Sequence, residues 1–530
     1  MPSDCISYQN SGYFTPLMVD YLNQKDTLKP LYNRFPTLEN FKNQIAEKQQ
    51  NYPEQSRAIL ADALVAQYKN VEKFYISTEH NINLLRQNNT FTVTTGHQLN
   101  LFTGPLYFLY KIVSAINLAK QLKETYPDYN FVPIYWMATE DHDFDEINYF
   151  NFRDKKIKWN RESTGPVGRL STDGLDAVLK AFAVELGPGD NAKWLTSLFE
   201  DAYLKHDNLT SATRFLANRF FGKHGLVIVD GDDAELKSLF KPYVKEELLK
   251  QTSHHKVAET TPLLSDYNVQ VNPREINLFY IEDNLRERII LQDKTYFVNN
   301  TDITFSESEI LSELENHPEK FSPNVIMRPL YEEVILPNLC YIGGGGELAY
   351  WLELKSFFES QNVTFPMLLL RNSALIATQK QADKLDRLQL TWADAFSKQH
   401  DLLNKKVQGF SKFQLDFTEQ KEFLKQQFEK LSAIAQKTDI TFTGAVKAQE
   451  LKQIKGLENL EKKLLRAEKR QHHDALERIA AVQNELFPHH SLQERRNNFS
   501  EFYLAYDGRL VDELFRQLKP LEQEFNVIIL

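Results

Sequence analysis

Residues 131–138, FVPIYWMA, form a nearly unbroken apolar run. A run of this kind fits a strand that is buried on both faces, inside a sheet covered by helices on each side. Upstream, FTVTTG (91–96) reads as a short β-branched strand. Between the two, Leu109, Ile112, Val113, Ile116 and Ala119 fall on one face of a helix. Strand 91–95, helix 106–124 and strand 131–138 therefore predict a βαβ unit, the seed of a Rossmann-like α/β core. GLVIVDG followed by a helix over 234–249 repeats the theme, as do NLCYIGGGGELAYWLELKSFF and the strand FPMLLL, so the sheet is expected to assemble from distant segments.

The remaining chain divides around this core. Residues 1–90 are polar and amphipathic and predict helices. Residues 151–220 and 255–325 read as insertions, the second β-rich with hairpin turns at Asp283-Asn284 and Gln292-Asp293. After Pro366 no proline occurs until Pro488, and Lys, Glu, Gln, Leu and Ala dominate, which is the composition of long helices. The expected division is a catalytic core over 1–372, a helical arm over 373–490 and a segment over 491–530 that returns to the core. In the arm, Leu424, Phe428 and Leu431 keep a 4-3 spacing, while Leu457, Leu460, Leu464 and Ala467 keep a 3-4-3 spacing. Gly409 and Gly444 read as breaks. A helix over 446–485 would extend about 60 Å and needs a partner, either the preceding helix in a hairpin or another subunit in a short coiled coil. A homodimer through the arm is the expected assembly.

Composition narrows the function classes. The net charge of −10 gives no general attraction for a nucleic acid, although a local basic cleft stays open. The two cysteines, Cys5 and Cys340, show no paired pattern and fit reduced thiols. No stretch approaches the roughly 20 apolar residues of a membrane span, and the N-terminus lacks the pattern of a signal peptide. A cytoplasmic enzyme without membrane or nucleic-acid partners is expected.

Three constellations carry candidate chemistry. TTGHQLNLFTGP (94–105) lies between a strand and its helix, where loop amides gather anions at the carboxyl end of an open sheet. There Gly96 and Gly104 permit close backbone approach, Thr103 offers a capping hydroxyl, Pro105 suits a first helical turn and His97 offers a proton carrier near neutral pH. The plainer alternative is a glycine turn with a satisfied histidine. TEDHDFDE (139–146) crowds Glu140, Asp141, Asp143, Asp145 and Glu146 around His142, reading as a general base with hydroxyl- or amine-binding carboxylates, as a metal site, or as an acidic helix start. It lacks metal-ligand spacing, so no metal is assigned. YIGGGGELAYW (341–351) sets Gly343, Gly344, Gly345 and Gly346 where amides could converge on phosphate or carboxylate, with Glu347 and Tyr350 one turn apart, unless the glycines only make a tight turn. Arg328 and Arg371 are candidate carboxylate partners. The paired histidines at 254–255, 472–473 and 489–490 lack the i, i+4 spacing of helical metal ligands and read as solvated.

Taken together, TTGHQLNLFTGPLYFLYK, PIYWMATEDHDFDEIN and RPLYEEVILPNLCYIGGGGELAYW closely resemble the bacillithiol-synthesis cysteine-adding enzymes, a family of cysteine ligases, and the resemblance spans nearly the whole chain. It implies a Rossmann core with inserted connecting segments, a coiled-coil domain used in dimers, and an amide bond made between L-cysteine and glucosaminyl malate, the last step towards bacillithiol. The core is also similar to class I aminoacyl-tRNA synthetases and to the mycothiol cysteine ligase. That kinship implies ATP or another nucleotide as activating cofactor, yet Gly96-His97-Gln98 stands in place of a full HIGH motif and no KMSKS is present. Under this reading His97, Asp141, His142 and Asp143 are catalytic, with His97 steadying developing charge and the acid cluster deprotonating the amine. Gly343 to Gly346 hold the activating group. Gly96, Gln98, Thr103, Gly104, Glu140, Asp145, Glu347 and Tyr350 line the substrate, and Lys111, Arg328 or Arg371 meets the malate carboxylates. The rival readings are a nucleotidyltransferase or tRNA-synthetase-like enzyme, and a non-catalytic coiled-coil scaffold.

Overall fold

The computed structural model describes residues 5–71, 74–438 and 440–530, without the side chain of Cys5, so the expected reduced state of Cys5 lies outside the described residues. Five strands, β1 (Thr90–His97), β2 (Asn130–Met137), β3 (Val227–Asp230), β4 (Asn338–Gly343) and β5 (Met367–Leu370), form a sheet in the order β5-β4-β1-β2-β3. Every pairing in it is parallel. Helix α1 (Tyr107–Thr125) makes the crossover from β1 to β2, and its Ala115, Leu118, Ala119 and Leu122 pack on Phe91, Val93, Leu339 and Ile342 of the sheet. The threonines of β1 survive burial because their hydroxyls are satisfied: Thr94 donates to Asn338 Oδ1 at 2.9 Å and Thr95 to the Ile342 carbonyl at 2.7 Å.

From β1 the chain moves to β2 and β3 on one side, then comes back to place β4 and β5 on the other. The direction reverses between β1 and β4, and a crevice opens outside the carboxyl ends of strands at such a switch point. Three further helices frame it: α2 (Ala234–Lys250), α3 (Met327–Ile335) and α4 (Gly345–Trp351).

The first insertion contains the hairpin Tyr149–Phe152/Lys155–Lys158 and the helices Leu175–Leu186, Asp190–Tyr203 and Leu209–Phe221. The second forms an antiparallel sheet from Leu278–Glu282, Leu285–Gln292, Thr295–Val298, Thr304–Ser306 and Phe321–Pro323. Its first turn lies at Asp283-Asn284 as expected, but the second is shifted by one residue. Gln292 pairs with Thr295, so Asp293 and Lys294 form the loop, both at positive φ (48° and 65°). Two positive-φ residues match the twist of the flanking strands, and that requirement decides the register. A third small sheet joins Cys5–Ser7 and Ser373–Ala377 to either side of Glu524–Ile529.

The chain divides into two compact units, one of residues up to Ile376 with Leu492–Ile528, the other essentially Ala377–Ser491. In the second unit, α5 (Thr418–Ala435) and α6 (Ile440–Gln471) lie antiparallel, with Lys421 Nζ 2.6 Å from Glu461 and Phe428, Ala435 and Val446 in one cluster. The partner of the long helix is thus the preceding one. The expected single helix over 446–485 is corrected twice. It starts before Gly444, which lies inside α6, and it ends at Gln471, before a separate α7 (His473–Leu486). One glycine costs a 32-residue helix only about 1 kcal/mol, so Gly444 does not interrupt it. Gly409 lies in the last turn of the helix Gln399–Phe410.

Candidate active site

A cleft of about 700 Å³ opens at the switch point, lined by the end of β1, the loop after β2, the glycine turn after β4 and the inserted antiparallel sheet. Gly96, His97 and Gln98, then Glu140, Asp141 and His142, then Gly344, Gly345, Gly346, Glu347 and Tyr350, and Arg328 and Arg371 all contribute to its wall. Of the expected site residues, Asp143, Asp145, Thr103, Gly104 and Gly343 do not line it. Asp143 is the exposed residue before the short helix Phe144–Ile147, and Asp145 faces outward near Lys158 at 3.7 Å. Thr103 is buried at φ 69° with its hydroxyl unpartnered among the described residues, and α1 begins at Tyr107 without a side-chain cap, so neither Thr103 nor Pro105 starts the helix. Gly343 completes β4.

Gly104 has a structural task. Its φ of 62° and ψ of −133° disfavour a side chain, and an added Cβ would lie 2.6 Å from the Asn100 Cβ. Gly104→Ala is expected to lower the unfolding free energy by about 1–3 kcal/mol, read from the urea midpoint. Gly96 serves the site directly, since a Cβ there would come 3.1 Å from the Tyr341 hydroxyl.

Lys111, buried on α1, reaches back under β1 to donate to the Gly96 carbonyl at 2.6 Å and to pair with Glu347 Oε2 at 2.5 Å. Glu347 also accepts from Gly344 N at 2.8 Å and from the Tyr341 hydroxyl at 2.9 Å. The Gly344 amide is therefore taken within the protein and does not face a ligand. Burial opposes the charge on both partners. It lowers the Lys111 pKa even against Glu347, while for Glu347 the attraction of Lys111 and the hydrogen bonds overcome it and hold the carboxyl below its usual range. Arg328 donates to the Tyr350 hydroxyl at 2.5 Å, and Glu332 lies 3.7 Å beneath it, fully buried. Arg371 is tied to Glu494 at 2.7 Å and to the Asn372 carbonyl at 3.0 Å.

His97 packs against Tyr107 and Phe108, with Nε2 buried and lacking a hydrogen-bond partner among the described residues. Burial first, then the Lys111 charge, pulls its pKa down to about 3. The ring is neutral at physiological pH, which corrects the expectation of a proton carrier near neutrality: His97 can share a hydrogen bond but brings no charge.

On the opposite wall, Asp141 accepts from Gln98 Nε2 at 2.9 Å and from the His142 amide at 2.8 Å. Burial favours its neutral form, but His142, Arg286 and Gln98 outweigh it and keep the carboxyl far below the usual range. His142 Nδ1 lies 2.6 Å from Arg286 Nη1. A guanidinium only donates, so Nδ1 is the acceptor in this contact. Glu140 pairs with Lys237 at 2.6 Å, and burial raises its pKa despite that partner.

Several cleft residues fall outside the three motifs: Tyr107, Arg274, Arg286, Arg288 and Arg495. With Lys111, Arg328 and Arg371 the cationic lining reaches seven groups against the three acids Glu140, Asp141 and Glu347. The chain as a whole carries −10, whereas this lining is net positive.

Comparison with known proteins gives a consistent result. The family model described as "Bacillithiol biosynthesis BshC, N-terminal Rossmann-like domain" matches residues 1–372, and the one described as "Bacillithiol biosynthesis BshC, C-terminal coiled-coil domain" matches 374–530. Relatives carrying the name "Putative cysteine ligase BshC" include one from Flavobacterium johnsoniae, 65% identical with 100% of both chains covered. Another, from Flavobacterium psychrophilum, is 60% identical over 100% of this chain and 99% of its own. A Bacillus cereus relative is 28% identical over 94% and 96%. With both of its parts matched and full-length relatives at such identity, the chain belongs to the BshC family of bacillithiol biosynthesis.

Proposed function

We propose that this protein is a ligase that joins the carboxyl group of L-cysteine to the amine of glucosaminyl malate. The observation that carries the reading is the cleft at the switch point, whose lining brings seven cations together with Glu140, Asp141, Glu347 and the neutral imidazole of His97. The names of its relatives supply the cysteine, and their place in bacillithiol synthesis supplies the amino sugar.

Amide formation in water needs an activated acyl group, and a nucleotide, when bound, supplies the leaving group that makes cysteine reactive. The cleft fits such an anion: Gly345 and Gly346 leave room for close approach, and Arg495 and Arg328 offer charge nearby. His97 then donates or accepts one hydrogen bond beside the reacting carbonyl. Asp141, held ionised, orients sugar hydroxyls rather than removing protons. Glu140, whose pKa burial raises, is the carboxylate suited to take the amine proton. Apolar side chains left open on the arm, among them Leu431, Leu451 and Leu460, support a second copy of the chain as its partner.

The test is detection of the thiol product by mass spectrometry from purified protein, cysteine and glucosaminyl malate, with and without ATP. His97→Ala should cost more than tenfold in kcat/KM, equivalent to over about 1.4 kcal/mol. Asp143→Ala should leave the rate within about twofold of the parent, because Asp143 lies outside the cleft. The parent profile should show no His97 ionisation between pH 5 and 8, given its pKa of about 3. No product under any nucleotide condition would remove the ligase reading.

A further inference from the structure

Among the cations of the cleft, most are already engaged. Lys111 is held by Gly96 and Glu347, Arg328 by Tyr350, and Arg371 by Glu494. Arg286 is held by His142 Nδ1 and stacks over Phe279, with its guanidinium carbon 4.0 Å from the ring centroid. These groups set the shape and potential of the site, and they have little left to offer a ligand. Arg274 and Arg288 differ. Both line the cleft, and neither guanidinium has a hydrogen bond or ion pair among the described residues, a state shared by Arg495 on the returning segment.

Arg274 and Arg288 both come from the second insertion. Arg288 lies two residues after Arg286 on the strand Leu285–Gln292, so the two share a face of that sheet, and its register partner is Phe279. Arg274 belongs to the loop that leads into the neighbouring strand Leu278–Glu282. Three acids of these strands and their turn have partners elsewhere, and Glu275, beside Arg274 on the loop, forms no ion pair with it among the described residues. Glu282 pairs with Lys320, Asp283 with Arg169, and Glu287 accepts from Asn300. No ion pair within the insertion holds Arg274 or Arg288 among the described residues.

We infer that Arg274 and Arg288 form a carboxylate-recognition subsite that selects an acceptor bearing a dicarboxylic acid. Each guanidinium presents a planar fork matched to one carboxylate, so two forks fit two carboxylates. This wall has no glycine turn whose amides could wrap a phosphate, whereas the opposite end has one after β4. Anion chemistry is thus divided: dicarboxylate at the insertion, activating group at the switch point. The inference rests on the ligase reading for the identity of the acceptor, and it replaces Lys111, Arg328 and Arg371 as the residues that meet the malate.

The test compares full-length protein with the R274A/R288A variant, using L-malate and inorganic pyrophosphate as calorimetric probes alongside turnover. Arg274 is exposed and Arg288 half-buried, so the thermal midpoint should not move. Malate affinity should fall at least tenfold more than pyrophosphate affinity, and KM for glucosaminyl malate should rise at least tenfold with KM for cysteine unchanged. A pyrophosphate loss equal to or greater than the malate loss, or no measurable malate binding by the parent, overturns the inference. If malate binding depends on the arginines but no amide product forms, the ligase reading fails alone. If product forms and malate binding ignores the arginines, the subsite fails alone.

Discussion

Glu494→Ala lowers the free energy of unfolding by about 3–5 kcal/mol, the expected cost of removing one partner from a buried ion pair. Glu494 is 1% exposed and Arg371 5%, with 2.7 Å between Glu494 Oε1 and Arg371 Nη2. The same carboxylate accepts from Ser373 Oγ and from the Ala374 amide, each at 3.2 Å. Alanine would leave a guanidinium without counter-charge and two donors without an acceptor, in a region water does not reach. Glu494→Gln keeps a carbonyl acceptor and should cost less. Urea unfolding at unchanged m-value measures both, and a loss under about 1 kcal/mol for the alanine variant would show that the pair does not hold the returning segment to the core.

Lys111→Met reduces kcat/KM at least 100-fold, or by about 2.7 kcal/mol. The substitution keeps the buried stem but strips the charge between Gly96 and Glu347. Glu347 would then present an uncompensated carboxylate to a cleft shaped for anions. At about 4 Å, two unit charges near a protein surface interact by roughly 4 kcal/mol, enough to account for the loss by repulsion alone. The double variant Lys111→Met/Glu347→Gln separates the causes. Recovery of tenfold or more identifies charge imbalance, whereas a loss as deep as the single variant's assigns the lysine a direct part in holding the ligand.

The βαβ unit and the switch-point cleft were legible because they rest on local rules. FVPIYWMA has no polar face to solvate, and the glycines at 96 and 343–346 fall where a strand turns into a helix. The arginine wall was not legible. Arg286 and Arg288 sit in LRERIILQ, whose alternation also describes a strand with one wet face, and only the fold of the insertion brings both to the cleft and Arg286 to His142, 144 residues away. Lys111 was placed in the chemistry, yet its burial could not be read, since its two partners lie 15 residues upstream and on a strand-end helix far downstream. Asp143 shows the reverse error. Proximity in sequence to Asp141 and His142 suggested a shared site, but the chain turns at Asp143 to begin the helix Phe144–Ile147, and the side chain leaves the cleft. Unpartnered charge in a cavity is a property of three-dimensional bookkeeping, and sequence spacing does not record it.

The small sheet that seats Glu524–Ile529 between Cys5–Ser7 and Ser373–Ala377 has a consequence for biogenesis. During vectorial synthesis the strand Cys5–Ser7 emerges long before Glu524–Ile529, the neighbour it waits for. At roughly 5–20 residues per second, that wait is tens of seconds. Until Glu524–Ile529 emerges, the edge of Ser373–Ala377 stays open to foreign strands, so nascent chains of this protein should depend on chaperone shielding more than their parallel core would suggest.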